Sequence, residues 1–290
     1  MPLFLRIALG LLCTLALSAC STQKLVSGAM ADALAAQGQS KEEDLQLARE
    51  ASAFYLKLSE SVLAQTPAHT ALATAVSSGF TQYAYAFVAF EAEKLETQDV
   101  KAALAQRQRA ARLYERAQQH GLRALQLQQP NLRAALASGQ PVPLRLDQVG
   151  LAYWTAAAWA ASISLSKDQP ERVADLPQVL HLAQAADRLA PTHDAGGLAS
   201  LLGSLEASRP GGHAPTAAAY FARATQAGAG QQAGPFVAQA EALALPAGDR
   251  ARFEALLLQA VAIAKSHRTL ANEVMRERAQ WLLETLDDRF

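Results

Sequence analysis

The chain has 290 residues, with 26 Lys and Arg against 26 Asp and Glu and 51% apolar residues. A formal charge of zero gives no bulk attraction to nucleic acid, so partners must be selected by shape. Ala (65) and Leu (44) far outnumber Val (12) and Ile (3), which excludes a mainly β fold and points to an all-α protein with a sizeable core.

The first segment carries one cation at Arg6, an apolar run over 7–17, and then Ser18-Ala19-Cys20. This is the layout of a secretory signal. The run falls short of the roughly 20 apolar residues that a spanning helix needs. Small residues before a cysteine resemble a bacterial lipobox, which implies a signal peptide at 1–19 and lipid on the Cys20 thiol. Cys13 would be removed with the signal, leaving no second cysteine for a disulfide. Ser21, where an aspartate would favour the inner membrane, points to a lipid-anchored protein of the outer membrane facing the periplasm. Residues 20–39 are expected to be a lipidated tether, about 25 Å long on average if flexible, and 40–290 a single all-helical domain.

Ser40 and Glu43 have the spacing of a capping box, so a helix is expected from residue 40. Leu47, Ala51, Phe54, Leu58 and Val62 then form one apolar stripe, read as core-facing, until Pro67. A helix over about 70–97 follows, with Phe80, Tyr83, Phe87 and Phe90 as an aromatic stripe suited to a core. A long helix is expected over 100–128, with Leu113, Ala117, Gly121 and Ala124 as its apolar seam. Another face carries Arg109, Arg112, Arg116, His120 and Arg123 at spacings of three, four, four and three. That row is either a solvated face paired with Glu91, Glu93 and Glu96 of the preceding helix, or a docking stripe or anion site.

Three prolines over 130–146 mark a linker or crossover, with a short helical turn at 131–137. Asp147 is expected to cap a helix over 148–165 that is apolar nearly all round and therefore central. Its Tyr153, Trp154 and Trp159 either fill the core or line a ligand cavity. Shorter helices are expected at about 175–190, 195–208, 215–226, 234–245, 248–265 and 268–287, and their short loops make successive helices hairpins. Leu202-Gly203, Phe221 and Ala224 resemble the helix A and helix B positions of a tetratricopeptide unit, and Ala183, Ala186 and Pro191 the end of a preceding one. Antiparallel hairpins of this kind stack as a tetratricopeptide-like α-solenoid or as a compact helical bundle.

No two of the six histidines share the i, i+4 spacing of a helical metal pair, and no nucleotide-binding or serine-nucleophile motif occurs. No catalytic residue, cofactor site or metal site is expected. His193-Asp194, beside Pro191 and Gly196-Gly197, reads as a helix cap.

Several segments taken in order resemble the T component of TRAP (tripartite ATP-independent periplasmic) transporters. They begin with Arg112-Leu113-Tyr114-Glu115-Arg116, residues 121–125, and Tyr153-Trp154 through Trp159 to 163–168. They continue in Gly197, Leu202-Gly203, residues 209–212, Phe221 and Ala224. They end with Asp249-Arg250, Phe253, residues 270–272, Arg278-Ala279 and Leu282-Leu283, so that the likeness spans about 40–287. Thr192 to Ala195 and Ala199 depart from the family pattern. The resemblance implies a non-enzymatic helical lipoprotein, often a homotrimer, that pairs with the periplasmic solute-binding P component and handles an apolar or organic-acid ligand. The alternative is a tetratricopeptide-like outer-membrane lipoprotein that acts as a protein-binding scaffold in an envelope assembly machine.

Overall fold

The computed structural model describes residues 26–36 and 42–290. The signal segment, Cys20 and Ser40 lie outside the described residues. Among those described, the chain is helical with no strand, and no helix is long and apolar enough to cross a membrane.

Residues 26–36 form a first helix, α1, within the stretch expected to be a tether. Ala31 and Leu34, three apart on one face, are buried in the main core, and the Leu34 carbonyl accepts from the Tyr55 hydroxyl. The flexible-tether reading therefore does not extend over these residues. The next helix, α2 (Leu45–Gln65), starts later than the capping box suggested. Asp44 is the cap, its carboxylate accepting from the amides of Gln46 at 2.9 Å and Leu47 at 3.1 Å.

The stripe read on α2 as core-facing is turned outward only over its first half, since Leu58 packs against the main core and Val62 is buried in it. Leu47, Ala51 and Phe54 are exposed, whereas Ala48, Leu56, Ser59, Val62 and Leu63 face the core. Over residues 45–55 only Ala48 is buried, and its methyl carries little hydrophobic contrast, so periodicity there followed the larger Leu47 and Phe54 instead.

Next come α3 (Thr70–Ala84), a widened turn at Tyr85–Ala89, and α4 (Phe90–Leu95). The Phe90 amide donates to the Tyr85 carbonyl five residues back, which marks the turn as a π-bulge. The long helix α5 (Val100–Gln128) matches its expected span because the Asp99 carboxylate accepts from the Ala102 amide at its start and Pro130 follows its end. The segment 130–146 holds α6 (Leu132–Ser138), whose Leu132 and Leu136 join the main core, so it is a crossover lying on that core.

The apolar helix α7 (Val149–Ser164) is central, packing on α3, α5 and α9 (Leu176–Leu189). Asp147 does not cap it. Its carboxylate pairs with Arg145 at 2.9 Å, and the Gln148 side chain accepts from the Arg145 amide instead. Gly121 makes the approach of α5 to α7 possible, since a Cβ there would lie 2.0 Å from Thr155 Oγ1. A short helix, α8 (Pro170–Val173), intervenes before α9.

Two further helix pairs follow. In the first, α10 (Gly197–Ser208) packs on α11 (Ala214–Ala227) with Gly203 directly against the Phe221 ring. Then α12 (Gly234–Gln239) runs through a second π-bulge at Ala240–Ala244, where the Leu245 amide donates to the Ala240 carbonyl at 2.9 Å. The last pair is α13 (Arg250–Ser266) and α14 (Leu270–Glu284), whose starts are capped by Asp249 and Thr269. These last elements share a core of their own, centred on Phe253, Leu257, Ala260 and Leu282, separate from the main core of α1 to α10.

Candidate functional site: a basic helix face with a cleft at one end

The row of cations on α5 is held in place differently at its two ends. Arg116 grips Glu60 of α2 with both arms of its guanidinium, Nε lying 2.5 Å from Oε1. His120 Nε2 is 2.7 Å from the same carboxylate, and Lys57 Nζ is 2.5 Å from its other oxygen. Burial would raise the Glu60 carboxyl, but the hydrogen bonds from Arg116, Lys57 and His120 outweigh it and hold its pKa at about 2. Phe80 completes the cluster, with the Arg116 guanidinium 5.0 Å from its ring centre and the His120 ring stacked on it at 6.2 Å.

The remaining cations of the row stand in solvent. Arg109, Arg112 and Arg123 are exposed, and among the described residues no carboxylate lies within ion-pair distance of them. Arg109 lies 5.9 Å from the Tyr83 ring centre. The acids expected to neutralise the row are engaged elsewhere: Glu91 with Lys94, Glu93 with Arg278, and Glu96 with Arg107. The expected pairing with the preceding helix is thus replaced by pairing with Glu60, five residues before the end of α2. Next to it, Ser61, Leu63, Ala64 and Pro67 on one side and His120, Arg123 and Ala124 on the other enclose a cleft of about 350 Å3.

The three aromatic residues of α7 do not form one group. Tyr153 and Trp159 are buried in the main core and Trp154 is half-buried against it. The Tyr153 and Trp154 rings meet at 4.7 Å, whereas the Trp159 indole faces away and donates to Asp175 Oδ2 at 3.3 Å. Tyr153 also meets the turn before α10, where its ring lies 5.5 Å from that of His193 and its hydroxyl and the Asp194 carboxylate both crowd against Gly197. Burial, then the neighbouring Asp194 charge, pushes the Tyr153 hydroxyl well above its ordinary pKa. His193-Asp194 therefore does not cap α10. Asp194 and Ala195 both have positive φ, 53° and 47°, a conformation that side chains other than Gly rarely adopt. The sequence marked this turn but not its contacts with Tyr153, which cross forty residues.

A second ionic cluster, also illegible in the sequence, lies where α4, the second π-bulge and α14 meet. Arg278 is nearly buried, at 8% side-chain exposure, and bonds both Glu241 (2.6 and 3.0 Å) and Glu93 (3.0 and 3.3 Å). Its guanidinium lies 5.5 Å from the Tyr85 ring and 5.3 Å from that of Phe90. Burial pushes the hydroxyls of Tyr85 and Tyr114 above their ordinary range, so both stay neutral. Among the described residues no group of three or more His, Cys, Asp or Glu could hold a metal ion.

Comparison with known proteins adds two findings. The family model described as "TRAP transporter T-component" matches residues 41–290. A protein of Treponema pallidum (strain Nichols), described as uncharacterized, is 29% identical over 268 residues, covering 86% of this chain and 81% of that protein.

Proposed function

The chain belongs to the TRAP transporter T-component family, and from that premise we propose that it docks the transporter's periplasmic solute-binding protein without covalent chemistry of its own. The observation that carries this reading is the outward face of α5, where Arg109, Arg112 and Arg123 stand exposed without a carboxylate among the described residues. Cations left unpaired on a rigid helix favour an acidic partner surface, steering its approach and fixing its register. Lipid on Cys20 anchors the chain in the envelope, facing the periplasm.

The test is a pull-down from detergent-solubilised envelope with the tagged mature chain. Recovery of a solute-binding protein, lost when Arg109 and Arg112 are both changed to Glu, is the expected result. Recovery of barrel-assembly or pilus components in its place would contradict the reading. In parallel, Cys20→Ser is expected to give a soluble or signal-retaining protein on fractionation; a processed chain still bound to membrane would contradict the lipid anchor.

A further inference from the structure

The largest exposed apolar side chain among the described residues is on α2. Phe54 is 76% exposed and Leu47 51%, and with Ala51 they occupy one helix face at spacings of four and three. Half-buried Leu58 and exposed Ser61 follow on the same face. An outward apolar row on an otherwise well-packed helix marks a contact surface. This row leads into the cleft, because Ser61 and Ala64 form part of its wall and Arg123 stands opposite. The surface is thus apolar along α2 and cationic at the cleft, where Arg123 lines the wall and Lys57 and Arg116 share the single carboxylate of Glu60, a formal surplus of two positive charges. A walled, charged end suits a folded protein segment rather than a lipid surface, which needs a flat apolar face.

We propose that this apolar face and the adjoining cleft seat an amphipathic segment of the docked solute-binding protein, its apolar residues on Leu47, Ala51 and Phe54 and its acidic end in the cleft against Arg123. The proposal rests on the docking reading above. It adds α2 to the docking surface and specifies the chemistry of the segment that binds there: an apolar row ending in carboxylates.

The experiment places a photo-cross-linking phenylalanine derivative at Phe54, or separately at Arg112, in the full-length lipidated chain in cells that produce it natively. Both side chains are exposed, so the fold is undisturbed. The expected result is that both positions capture the same solute-binding protein, with the Phe54 adduct on a segment combining apolar residues with Asp or Glu. In that background Arg123→Glu should lower the Phe54 adduct at least fivefold. Four results at Phe54 would overturn the proposal: an adduct to phospholipid, to a second copy, or within the same chain, or a yield indifferent to Arg123→Glu. Capture of the solute-binding protein from Arg112 but not from Phe54 would remove the α2 face from the docking surface and leave the docking reading standing. Capture from neither position would remove both.

Discussion

Arg278 and Arg116 both grip carboxylates with both arms, and they differ in almost everything else. Arg278 is enclosed by Glu93, Glu241, Tyr85 and Phe90 and joins the last helices to the body at two π-bulges. Arg116 shares Glu60 with His120 and Lys57 at the surface, within a row whose other members remain unpaired. A buried pair contributes little beyond an apolar replacement but is costly to break, because the orphaned charge cannot reach water. An exposed pair contributes little either way, so cations kept there are free to serve a partner. The comparison separates a cluster that holds the architecture from one that is available for contact.

The largest expected effect breaks the buried side. Arg278→Ala leaves Glu93 and Glu241 facing each other without their counter-charge and should cost about 3–5 kcal/mol, read as a lower denaturant midpoint. A loss under about 1 kcal/mol would show that the cluster is solvated. Next, Gly121→Ala drives a methyl into Thr155 Oγ1 where α5 meets α7; overpacking there should cost about 1–3 kcal/mol by the same measurement.

On the exposed side, Glu60→Gln should cost on the order of 1 kcal/mol, since Arg116 and His120 keep access to water. That loss depends on pH. The folded-state pKa of Glu60 is about 2 against an ordinary 4.5, so its contribution is complete above about pH 4.5 and disappears as pH falls through about 2. Melting curves of the parent and of Glu60→Gln should therefore converge over that window; a gap that widens with acid would contradict the sign. Smallest of all, Arg109→Glu with Arg112→Glu should change stability by no more than about 0.5 kcal/mol.

The sequence carried much of the architecture because helix boundaries have local chemistry. Asp99 and Pro130 bracket α5, and Asp249 and Thr269 start α13 and α14 through side-chain caps. The phase of the first half of α2 was not legible, since over residues 45–55 only Ala48 is buried and it gives the periodicity little to follow. Nor were the ionic partners. Glu60 reaches Arg116 across 56 residues and Glu93 reaches Arg278 across 185, so spacing along the chain pointed to Glu91, Glu93 and Glu96 as partners of the α5 row when none of them serves it. The π-bulges likewise follow from how distant helices meet at Arg278, and no local motif announces them. What did survive from sequence to structure at the site is the row itself: five basic residues at helical spacing on one helix, three of them arginines left in solvent.

Docking of a solute-binding protein on this row can be measured by calorimetric titration of that protein, purified from the pull-down, against the mature chain and against its Arg109→Glu, Arg112→Glu variant. The expected result is a dissociation constant at least tenfold weaker for the variant, with the parent affinity falling as salt rises. Equal affinities for two equally folded proteins would contradict the claim and return the arginine row to an ordinary solvated helix face.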